Sequence, residues 1–395
     1  MLVNRKKCTG CMACMDICPK TAITYEISDD GFQYPIIDKT KCIKCSLCNK
    51  VCPVLYEPNR NMMHKTYAAW ANDSTLRSRS SSGGIFAAIA VRFLNEPSTC
   101  VYGAYSDGID VTHLCISQHS EIPLLQGSKY AQGNLSGIYK DVKLKLETGQ
   151  RVLFSGTPCQ VAALHAFLRK GYDNLTTIDV VCGGFPSKLP LHKFIEKYPE
   201  TKRIHSYRDK RSGWRSTNYS YNLTVENKDG SLAEYGVENL IILSFGASIT
   251  HRKCCYDCKF VGLSRCSDLT IGDFWGDANF KDQHHDGLSV VMVHTSKGDS
   301  LLRESDISCR MVPIKDAIKH NMPFVNGVKY AGYNPFRILM NFCYKRFSYD
   351  QIMNIYTGKG VLGCMYRVVS YFLKIMQNKR KLNVYKSVIN EKKEC

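Results

Sequence analysis

Two copies of one cysteine spacing lie close together near the N-terminus. Each copy has three cysteines separated by two residues, a fourth cysteine after three more, and then a proline. The copies are Cys8-x2-Cys11-x2-Cys14-x3-Cys18-Pro19 and Cys42-x2-Cys45-x2-Cys48-x3-Cys52-Pro53. Thiolates at this spacing bind two four-iron clusters, and the fourth cysteine of each run ligates the other cluster. We therefore assign Cys8, Cys11, Cys14 and Cys52 to one [4Fe-4S] cluster, and Cys42, Cys45, Cys48 and Cys18 to the second.

Structural zinc and a disulfide framework are the alternatives to iron-sulfur clusters. Zinc needs only four ligands in two short pairs, whereas each run repeats three close cysteines, a fourth cysteine and a proline. Disulfides require an oxidising compartment. Residues Met1 to Lys7 are short and basic, with no apolar segment before Cys8, and do not resemble a secretory signal. The sequence therefore predicts a reducing, cytoplasmic protein with iron-sulfur clusters.

Length and charge limit the remaining functions. The chain has 395 residues, 44% of them hydrophobic, and the cysteine runs occupy only the first 58 or so. The formal net charge is +18, and the last 60 residues hold 12 Lys and Arg against 3 Asp and Glu, a local net charge of +9. Such a surface suits nucleic acid, anionic lipid, an acidic electron-transfer partner or a phosphate-bearing cofactor. We find no nucleic-acid motif and predict no nucleic-acid partner.

A strand, a loop and a helix follow a polar linker near residues 57–61. Residues Tyr67–Ala71 predict a strand, and a Ser/Gly loop ending at Gly84 precedes an apolar helix, Ile85–Leu94. Backbone amides at such a helix start can cradle a phosphate, with Arg77 and Arg79 adding charge. An N-cap serine in a flexible loop is the alternative. In Gly127-Ser128-Lys129-Tyr130, Lys129 could meet a phosphate or a reduced flavin, or be solvated.

Two further units each place a cysteine after a strand. Val152–Phe154 predicts a strand, Thr157 an N-cap, and Cys159 lies in the first turn of a helix ending at Leu168. The N-terminal helix dipole should lower the pKa of the Cys159 thiol, which makes it a candidate redox thiol or cluster ligand. The next unit is a strand at 176–181, then Cys182, then a helix at 189–197.

A C-x2-C pair lies further along the chain. Cys255 and Cys258 provide half of a metal site, and the remaining ligands must come from elsewhere. The candidates for the other half are Cys159, Cys182, Cys254 and Cys266. Other cysteines have no ligand spacing and are interpreted as ordinary thiols, namely Cys100, Cys115, Cys309, Cys343, Cys364 and Cys395.

The ordered set of motifs resembles a known family. After the cysteine runs come SSSGGIFAAIA, GSKY, GTPCQVAAL, CGGFPS, YRDKRSGW, CCYDC and SDLTIGDFWG. This order is similar to the beta-subunit family of deazaflavin (coenzyme F-420) hydrogenases and formate dehydrogenases, which includes a plant hydroxymethyl-chlorophyll reductase. The similarity covers roughly residues 1–330. It implies a non-covalent flavin, FAD rather than FMN, in an α/β domain connected to iron-sulfur clusters.

The resemblance also implies specific ligands for both kinds of cofactor. The matching cofactor-binding positions are Ser82, Gly83, Gly84, Ser128, Lys129, Tyr130, Gly156, Thr157 and Pro158. Four cysteines fall inside family motifs, here called the quartet: Cys159, Cys182, Cys255 and Cys258. We interpret the quartet as ligands of a third [4Fe-4S] cluster, with Cys254 or Cys266 as substitute ligands, and redox or structural thiols as the alternative. Many relatives carry His where this chain has Gly183, which puts proton donation at that position in doubt.

The motif SDLTIGDFWG and two polar stretches complete the candidate residues. Gly272, Asp273 and Trp275 are expected to border the flavin pocket, with Trp275 as a stacking wall, although Asp273 would also suit a turn and Trp275 a core. His284-His285-Asp286 is interpreted as a polar loop rather than a metal site.

The predicted fold is an α+β dicluster ferredoxin module (1–58) fused to an α/β flavin-binding domain (64–330), with a basic, partly helical C-terminal extension (331–395). The leading function is an iron-sulfur flavoprotein oxidoreductase that couples one-electron transfer to two-electron flavin chemistry on an organic substrate or carrier. The second is an electron-transfer subunit without a substrate site. A third is a membrane-surface partner whose clusters serve as sensor or structure. A redox partner protein or low-potential carrier is expected in the first two.

The C-terminal extension contains an apolar helical segment. Residues Val361–Met376 are apolar except for Gly363, Arg367, Ser370 and Lys374, which leave a narrow polar stripe. The segment is too short and too polar to span a bilayer. It should therefore either dock on the protein's own core or, with Lys379-Arg380-Lys381, lie on an anionic membrane or on a partner.

Overall fold

The computed structural model describes residues 2–211, 213–214, 222–236, 238–275, 278–283, 285–318, 321, 324, 336–373 and 375. In these ranges the strands are β1 (Ile23–Ile27), β2 (Gln33–Ile37), β3 (Lys65–Ala71), β4 (Thr99–Asp107), β5 (Asp110–Ile116), β6 (Arg151–Gly156), β7 (Leu175–Val180), β8 (Thr201–Asp209), β9 (Asn222–Asn227), β10 (Leu232–Tyr235), β11 (Leu269–Asp273), β12 (Ser289–Val293) and β13 (Ile307–Met311).

The helices of the described ranges are α1 (Ala13–Asp16), α2 (Leu47–Lys50), α3 (Ser74–Ser78), α4 (Ile85–Leu94), α5 (Ile122–Leu125), α6 (Ile138–Glu147), α7 (Pro158–Leu168), α8 (Leu189–Lys197), α9 (Leu240–Ala247), α10 (Ser296–Glu304), α11 (Ile314–Ile318), α12 (Phe336–Arg346), α13 (Tyr349–Tyr356) and α14 (360–373). Short 3-10 turns occur at His119–Glu121, Lys253–Asp257 and Ala278–Gln283. None of these helices has both the length and the apolar character needed to cross a bilayer.

A mixed eight-stranded sheet forms the centre of the molecule. Its strand order is β13-β3-β12-β11-β7-β6-β4-β5, and β4, β6, β7 and β11 run parallel to one another. Residues along β6 alternate between two apolar cores, as the two-residue period of a strand requires. Val152 and Phe154 pack with α6 and α7, whereas Leu153 packs on the opposite face with α4. The continuous apolar run of β6 is therefore explained by burial on both faces.

The predicted strand-loop-helix units are confirmed in this sheet. The helices expected at 85–94, 158–168 and 189–197 are α4, α7 and α8, and Thr157 precedes α7 as its N-cap. The strands expected at 67–71, 152–154 and 176–181 correspond to β3, β6 and β7. These units were predictable because caps, prolines and apolar runs act over a few residues.

A smaller layer packs beside the large sheet. Antiparallel β8, β9 and β10 share an apolar core with α8, α9, α12 and α13. Met340 and Ile352, both fully buried, bring α12 and α13 into this core. Residues 336–356 therefore pack with residues of the predicted central domain. The division at 1–58, 64–330 and 331–395 stays a prediction, and residues 325–335 lie outside the described ranges.

The ferredoxin module (1–58) is packed against the rest of the chain. It contains the β1-β2 hairpin, with Ile23 opposite Ile37. Asp16, in the first cysteine run, accepts hydrogen bonds from the amides of Gly137 at 2.7 Å and Tyr139 at 3.1 Å, at the start of α6. On the other side, Arg337 of α12 donates to Asp30 at 3.0 Å in a buried ion pair. These buried polar contacts fix the position of the module on the α/β core.

Candidate redox site

A cavity of about 1160 Å³ lies at the carboxyl ends of β6, β7 and β11. In open α/β sheets, ligands bind outside the carboxyl ends of the parallel strands. Seven of the nine predicted cofactor-binding residues line its wall, namely Ser82, Gly84, Ser128, Lys129, Tyr130, Gly156 and Thr157. Gly83 and Pro158 are their immediate neighbours in the chain and are not part of the lining. Three loops far apart in sequence thus meet around one space.

The Ser/Gly loop before α4 is fastened to β12. The Ser82 hydroxyl donates to the carbonyl of Leu288 at 2.8 Å, and the Gly83 amide donates to the Ser289 hydroxyl at 2.9 Å. A Cβ on Gly83 would lie 2.6 Å from the carbonyl oxygen of Ala69. Glycine is therefore required at this position for close packing against the protein's own strands.

The arginine expected to add charge to this loop points elsewhere. Arg77 is buried and donates from Nε and Nη2 to the carbonyl of Gly287, at 3.0 and 2.6 Å, and from Nη1 to Gln283 at 3.0 Å. Arg79 is exposed. The Ser128 amide donates to the Ser81 hydroxyl at 2.7 Å, which ties the first loop to the Gly-Ser-Lys-Tyr loop. The wall is thus built by side chains that bind backbone groups.

Lys129 is a half-buried cation of this wall. Its ammonium group donates to the carbonyls of Gln126 at 2.7 Å and Leu125 at 3.1 Å. Burial lowers the pKa of Lys129 to about 7. A lysine held by two neutral carbonyls beside a cavity is placed to receive an anionic group from a ligand. Its contact with a phosphate or a flavin stays a prediction.

Another part of the wall contains residues of the SDLTIGDFWG motif. Gly272, Asp273 and Trp275 line the cavity as expected. Arg208, which also lines it, donates to Asp273 at 2.7 Å and lies over the Trp275 ring at 5.4 Å. Trp275 also stacks on buried Trp214, with ring centroids 4.9 Å apart and planes at 7°. Both alternatives for Trp275 thus hold in part, because the ring packs on a core residue and also borders the cavity.

Sequence reasoning gave no role to several lining residues, among them His113, Arg208 and Phe245. His113 of β5 stacks on Phe154, and its Nε2 lies 3.1 Å from the carbonyl of Ser155. Burial lowers the pKa of His113 to about 4, and its buried Nδ1 has no hydrogen-bond partner among the described groups. Phe245 stacks on Tyr130 with ring centroids 4.2 Å apart. Neither His113 nor Phe245 belongs to a motif, and Arg208 lies in a motif to which no role had been given.

The quartet gathers beneath this cavity. Cys159 and Cys255 are buried in one apolar cluster, against which Cys258 packs. Cys182 lines the cavity itself. The amides of Gly184 and Phe185 donate at 3.4 Å to the sulfurs of Cys182 and Cys255. The structure therefore brings together four cysteines from three separate segments. Cys254 and Cys266 pack against the same cluster, as expected of substitute ligands.

Burial controls the protonation of these thiols. Burial, with the charges of Cys258 and Cys182 added, holds the pKa of Cys159 well above its usual value. Burial also raises the pKa of Cys182 to about 12 and that of Cys258 to about 11. The expectation that the helix N-terminus lowers the pKa of Cys159 is therefore wrong, because desolvation outweighs the dipole when a thiol is fully buried.

The first assigned cysteine set of the ferredoxin module is also a set of neighbours. Burial is the larger cause of the raised pKa of Cys14, and the charges of Cys11, Cys8 and Cys52 add to it, as does that of Cys48 from the second set. Cys8 belongs to the same buried cluster as Cys159 and Cys255. In the second set, Cys45 is exposed and Cys18, Cys42 and Cys48 are half-buried. We call the set of Cys8, Cys11, Cys14 and Cys52 the inner set, and the other the outer set.

A further predicted loop is polar, as expected, in the part that the structure describes. His285 Nδ1 lies 2.9 Å from Asp286, and both side chains are exposed. His284 lies outside the described residues.

A Cβ on Gly183 would lie 3.3 Å from the Phe245 ring, so this glycine leaves space for that ring at the cavity.

Family models match two parts of the chain. Residues 7–55 match the model of the 4Fe-4S dicluster domain, and residues 149–316 match that of the C terminus of the coenzyme F420 hydrogenase/dehydrogenase beta subunit. A chain of the F420-reducing [NiFe] hydrogenase complex from Methanosarcina barkeri, in a xenon-derivatised structure, is 17% identical, with 73% of this chain and 90% of that chain covered and a TM-score of 0.45. No curated protein matches the chain significantly. Residues 7–55 are therefore similar to 4Fe-4S dicluster domains, and residues 149–316 are similar to the C-terminal part of coenzyme F420 hydrogenase/dehydrogenase beta subunits.

Proposed function

We propose that the protein is the electron-transfer subunit of a redox complex and exchanges single electrons between a partner and a flavin in the cavity. The observation that carries this proposal is the order of the three cysteine groups. Cys45 of the outer set is exposed, Cys8 of the inner set lies in the buried cluster that contains Cys159 and Cys255, and Cys182 of the quartet lines the cavity. When bound, iron-sulfur clusters supply one-electron transfer, and a flavin converts it to two-electron chemistry.

The residues of the ferredoxin module fit two clusters. Burial, and then the charges of Cys8 and Cys52, raise the pKa values of Cys11 and Cys14, as expected of ligands that lie close together. In the described part of the chain, neither the ferredoxin module nor the quartet has three His, Cys, Asp or Glu side chains close enough to hold a single bare metal ion. A four-iron cluster is wider than one ion, and its ligands are correspondingly further apart.

The quartet fits a third cluster. Cys159 and Cys255 are buried, and Cys182 and Cys258 are half-buried. Burial and the charges of the neighbouring cysteines raise the pKa values of Cys159 and Cys182, so the four are poor neighbours as free thiolates, and iron would compensate their charges. The amides of Gly184 and Phe185 already donate to two of the sulfurs, as expected at a cluster whose sulfurs accept hydrogen bonds.

The cavity fits a flavin, and we propose FAD. Its volume of about 1160 Å³ exceeds the roughly 300–1,000 Å³ of ordinary ligand pockets, as a dinucleotide-sized group requires. Lys129 supplies a positive charge for a phosphate or a reduced ring. Trp275, held from behind by Trp214, supplies an aromatic wall. Arg208 and Asp273 form a hydrogen-bonded pair on the same side.

A second candidate function is a flavin oxidoreductase with an organic substrate of its own. Neutral His113 favours it, because its buried Nδ1 lacks a partner and the residue lines the cavity. A substrate hydroxyl or amide could donate to that nitrogen. The two functions differ in whether the reduced, isolated chain can be oxidised by a small organic compound.

Anaerobic purification with iron, sulfide and flavin quantitation tests the main proposal. We expect about eight irons from the ferredoxin module and about four more from the quartet, since each cluster holds four. Cys258→Ser should remove about four irons and leave the ferredoxin signals. Cys309→Ser, at an exposed cysteine of β13, is the matched control and should lose none. A flavin-free protein, or one that binds zinc without iron-sulfur absorption, would contradict the proposal.

The outer set offers the place for a partner. Lys39, Lys41, Lys44 and Lys50 are exposed around its cysteines, and Ile43 adds an exposed apolar side chain. This surface suits an acidic redox protein. The rate of reduction by such a partner should fall steeply with salt and in Lys44→Glu. A rate independent of both would place the partner elsewhere.

The C-terminal helix offers a second surface. Leu362, Tyr366 and Val369 pack on the core, whereas Val361, Met365, Val368 and Phe372 form an exposed stripe on α14. We propose that this stripe and the basic residues after it contact an anionic membrane. Residues 376–395 lie outside the described ranges. Salt-sensitive co-sedimentation with anionic vesicles, lost on truncation after Tyr356, would support this contact, and equal recovery of both chains in the supernatant would refute it.

A further inference from the structure

A buried arginine from the α/β domain lies against the inner set of the ferredoxin module. Arg252 precedes the CCYDC motif and its side chain is fully buried. Its Nε donates to the carbonyl of Cys8 at 2.7 Å, and its Nη2 lies 3.6 Å from the Cys8 sulfur. The other donors reach the carbonyl of Gln33 at 3.1 Å and the side-chain oxygen of Gln132 at 3.0 Å. All three guanidinium nitrogens thus contact a neighbour, and two of them, Nε and Nη2, contact Cys8.

The position of Arg252 is fixed by packing as well as by hydrogen bonds. Its guanidinium carbon lies 4.2 Å from the centroid of the Tyr34 ring and 5.4 Å from that of Phe32. Gly10 lies between two inner-set cysteines and has a φ of +69°. A Cβ at this position would approach the guanidinium carbon to 2.9 Å. Glycine therefore lets the cysteine run close over the arginine.

Sulfur supplies the counter-charge of this cation. In the described part of the chain, its hydrogen-bond acceptors are two carbonyls, one amide oxygen and the Cys8 sulfur, and it forms no ion pair with a carboxylate. An isolated buried cation is strongly unfavourable. The arginine therefore fits a permanently anionic group at Cys8, such as a thiolate-bound cluster.

We propose that Arg252 is a positioning residue that raises the reduction potential of the cluster bound by Cys8, Cys11, Cys14 and Cys52. Reduction adds one electron to this cluster, and no covalent bond forms or breaks. The added negative charge lies beside a fixed cation in a dry site, so the reduced state is stabilised more than the oxidised state. Net charge and hydrogen bonds to sulfur are the features by which a protein sets such potentials.

The outer set lacks a comparable environment in the described structure. Cys45 is exposed, and the lysines near it are exposed as well, so water screens their charges. We therefore expect the inner cluster to have the higher potential of the two, which favours electron movement inward. This inference deepens the proposed electron-transfer function and rests on it, but it does not depend on the flavin or on the third cluster.

Redox titration of the full-length, anaerobically reconstituted chain tests the proposal. Dithionite serves as the one-electron reductant, and the clusters are followed by electron paramagnetic resonance. In Arg252→Met and Arg252→Gln, one midpoint potential should fall by at least about 59 mV, which is a factor of about ten in the equilibrium constant for one-electron reduction. Arg252→Lys keeps the charge and should shift less. Lys50→Met removes an exposed charge beside the outer set and should shift no midpoint by that amount.

The possible results separate this inference from the proposed function. A chain without flavin or without the third cluster would contradict the proposed function, yet the shifted midpoint would still be measurable. The inference would be overturned if the neutral variants kept their full iron content and their equilibrium constants for reduction stayed within about twofold of the wild-type values. It would also be overturned if both neutral variants lost the inner cluster while Arg252→Lys kept it unshifted, because Arg252 would then serve cluster assembly alone.

Discussion

Lys129→Met should stabilise the flavin-free protein while weakening flavin binding. In the described structure the Lys129 ammonium has two carbonyl acceptors and no carboxylate partner, and burial lowers its pKa from 10.5 to about 7. Methionine has a similar length and no charge to bury. The substitution removes the free-energy cost of burying the Lys129 charge. If Lys129 binds an anionic part of the flavin, the same substitution also removes that contribution to flavin binding.

The pH dependence gives this prediction its magnitude. The unfolded chain binds the Lys129 proton more tightly than the folded chain between about pH 7 and 10.5. The free energy of unfolding of the wild type therefore rises with pH through this window, and the deficit due to Lys129 is largest below it. One pKa unit corresponds to about 1.4 kcal/mol, so the wild type should gain about 2 kcal/mol relative to Lys129→Met between pH 7 and 9. Loss of the two hydrogen bonds in the variant reduces its net advantage at pH 7 by about 1 kcal/mol each.

Thermal unfolding of both flavin-free proteins between pH 6.5 and 9, under anaerobic conditions, checks this reasoning. The variant should have the higher Tm at pH 7, and the difference should shrink by several degrees toward pH 9. Lys140→Met, at an exposed lysine of α6, should show a pH-independent difference. A Tm difference at Lys129 that does not change with pH would refute the claim that its charge is buried at a cost. Unchanged flavin occupancy in Lys129→Met would remove it from the proposed binding site.

Three other substitutions, one of them with a matched control, test separate parts of the structure. Gly83→Ala should destabilise the fold by about 1–3 kcal/mol in chemical denaturation, because the new Cβ would meet the Ala69 carbonyl. The control is Gly137→Ala, whose Cβ would meet no atom within 4 Å. It should cost only about 1 kcal/mol, because Gly137 has a positive φ. Asp16→Ala should cost about 1–2 kcal/mol, since the amides at the start of α6 lose their acceptor, and no loss in that variant would contradict the capping role. Cys45→Ser should lower the iron content by about four per chain, and full iron retention would show that Cys45 is not a ligand.

Much of the local structure could be predicted because its signals are local. Thr157 and Pro158 mark the start of α7 within two residues, and the repeated cysteine spacing identifies the ferredoxin module without knowledge of the rest of the chain. Part of the cavity wall was also predictable, because each of its motif loops follows a strand of the large sheet or precedes a helix that packs on that sheet. Lining residues outside motifs, such as His113 and Phe245, were missed because they come from segments whose sequences give no signal.

Properties that depend on burial could not be predicted in this way. Cys159 has the helix position that lowers a thiol pKa, yet its pKa is raised because the folded chain removes it from water. Gly83 has the sequence context of a phosphate loop, yet the atoms that require glycine are those of Ala69 and Ser289. In both cases the deciding neighbours are distant in sequence.

The sequence by itself determined the cluster-binding module, the main strand-loop-helix units and the residues available as cofactor ligands. Each of these depends on spacing, capping or periodicity within about a dozen residues. Only the tertiary structure decided that Cys159, Cys182 and the Cys255/Cys258 pair meet, and that Arg252 lies on Cys8 across 244 positions of the chain. Desolvation and charge contacts arise from the packing of the folded chain, and sequence separation does not specify which groups that packing brings together.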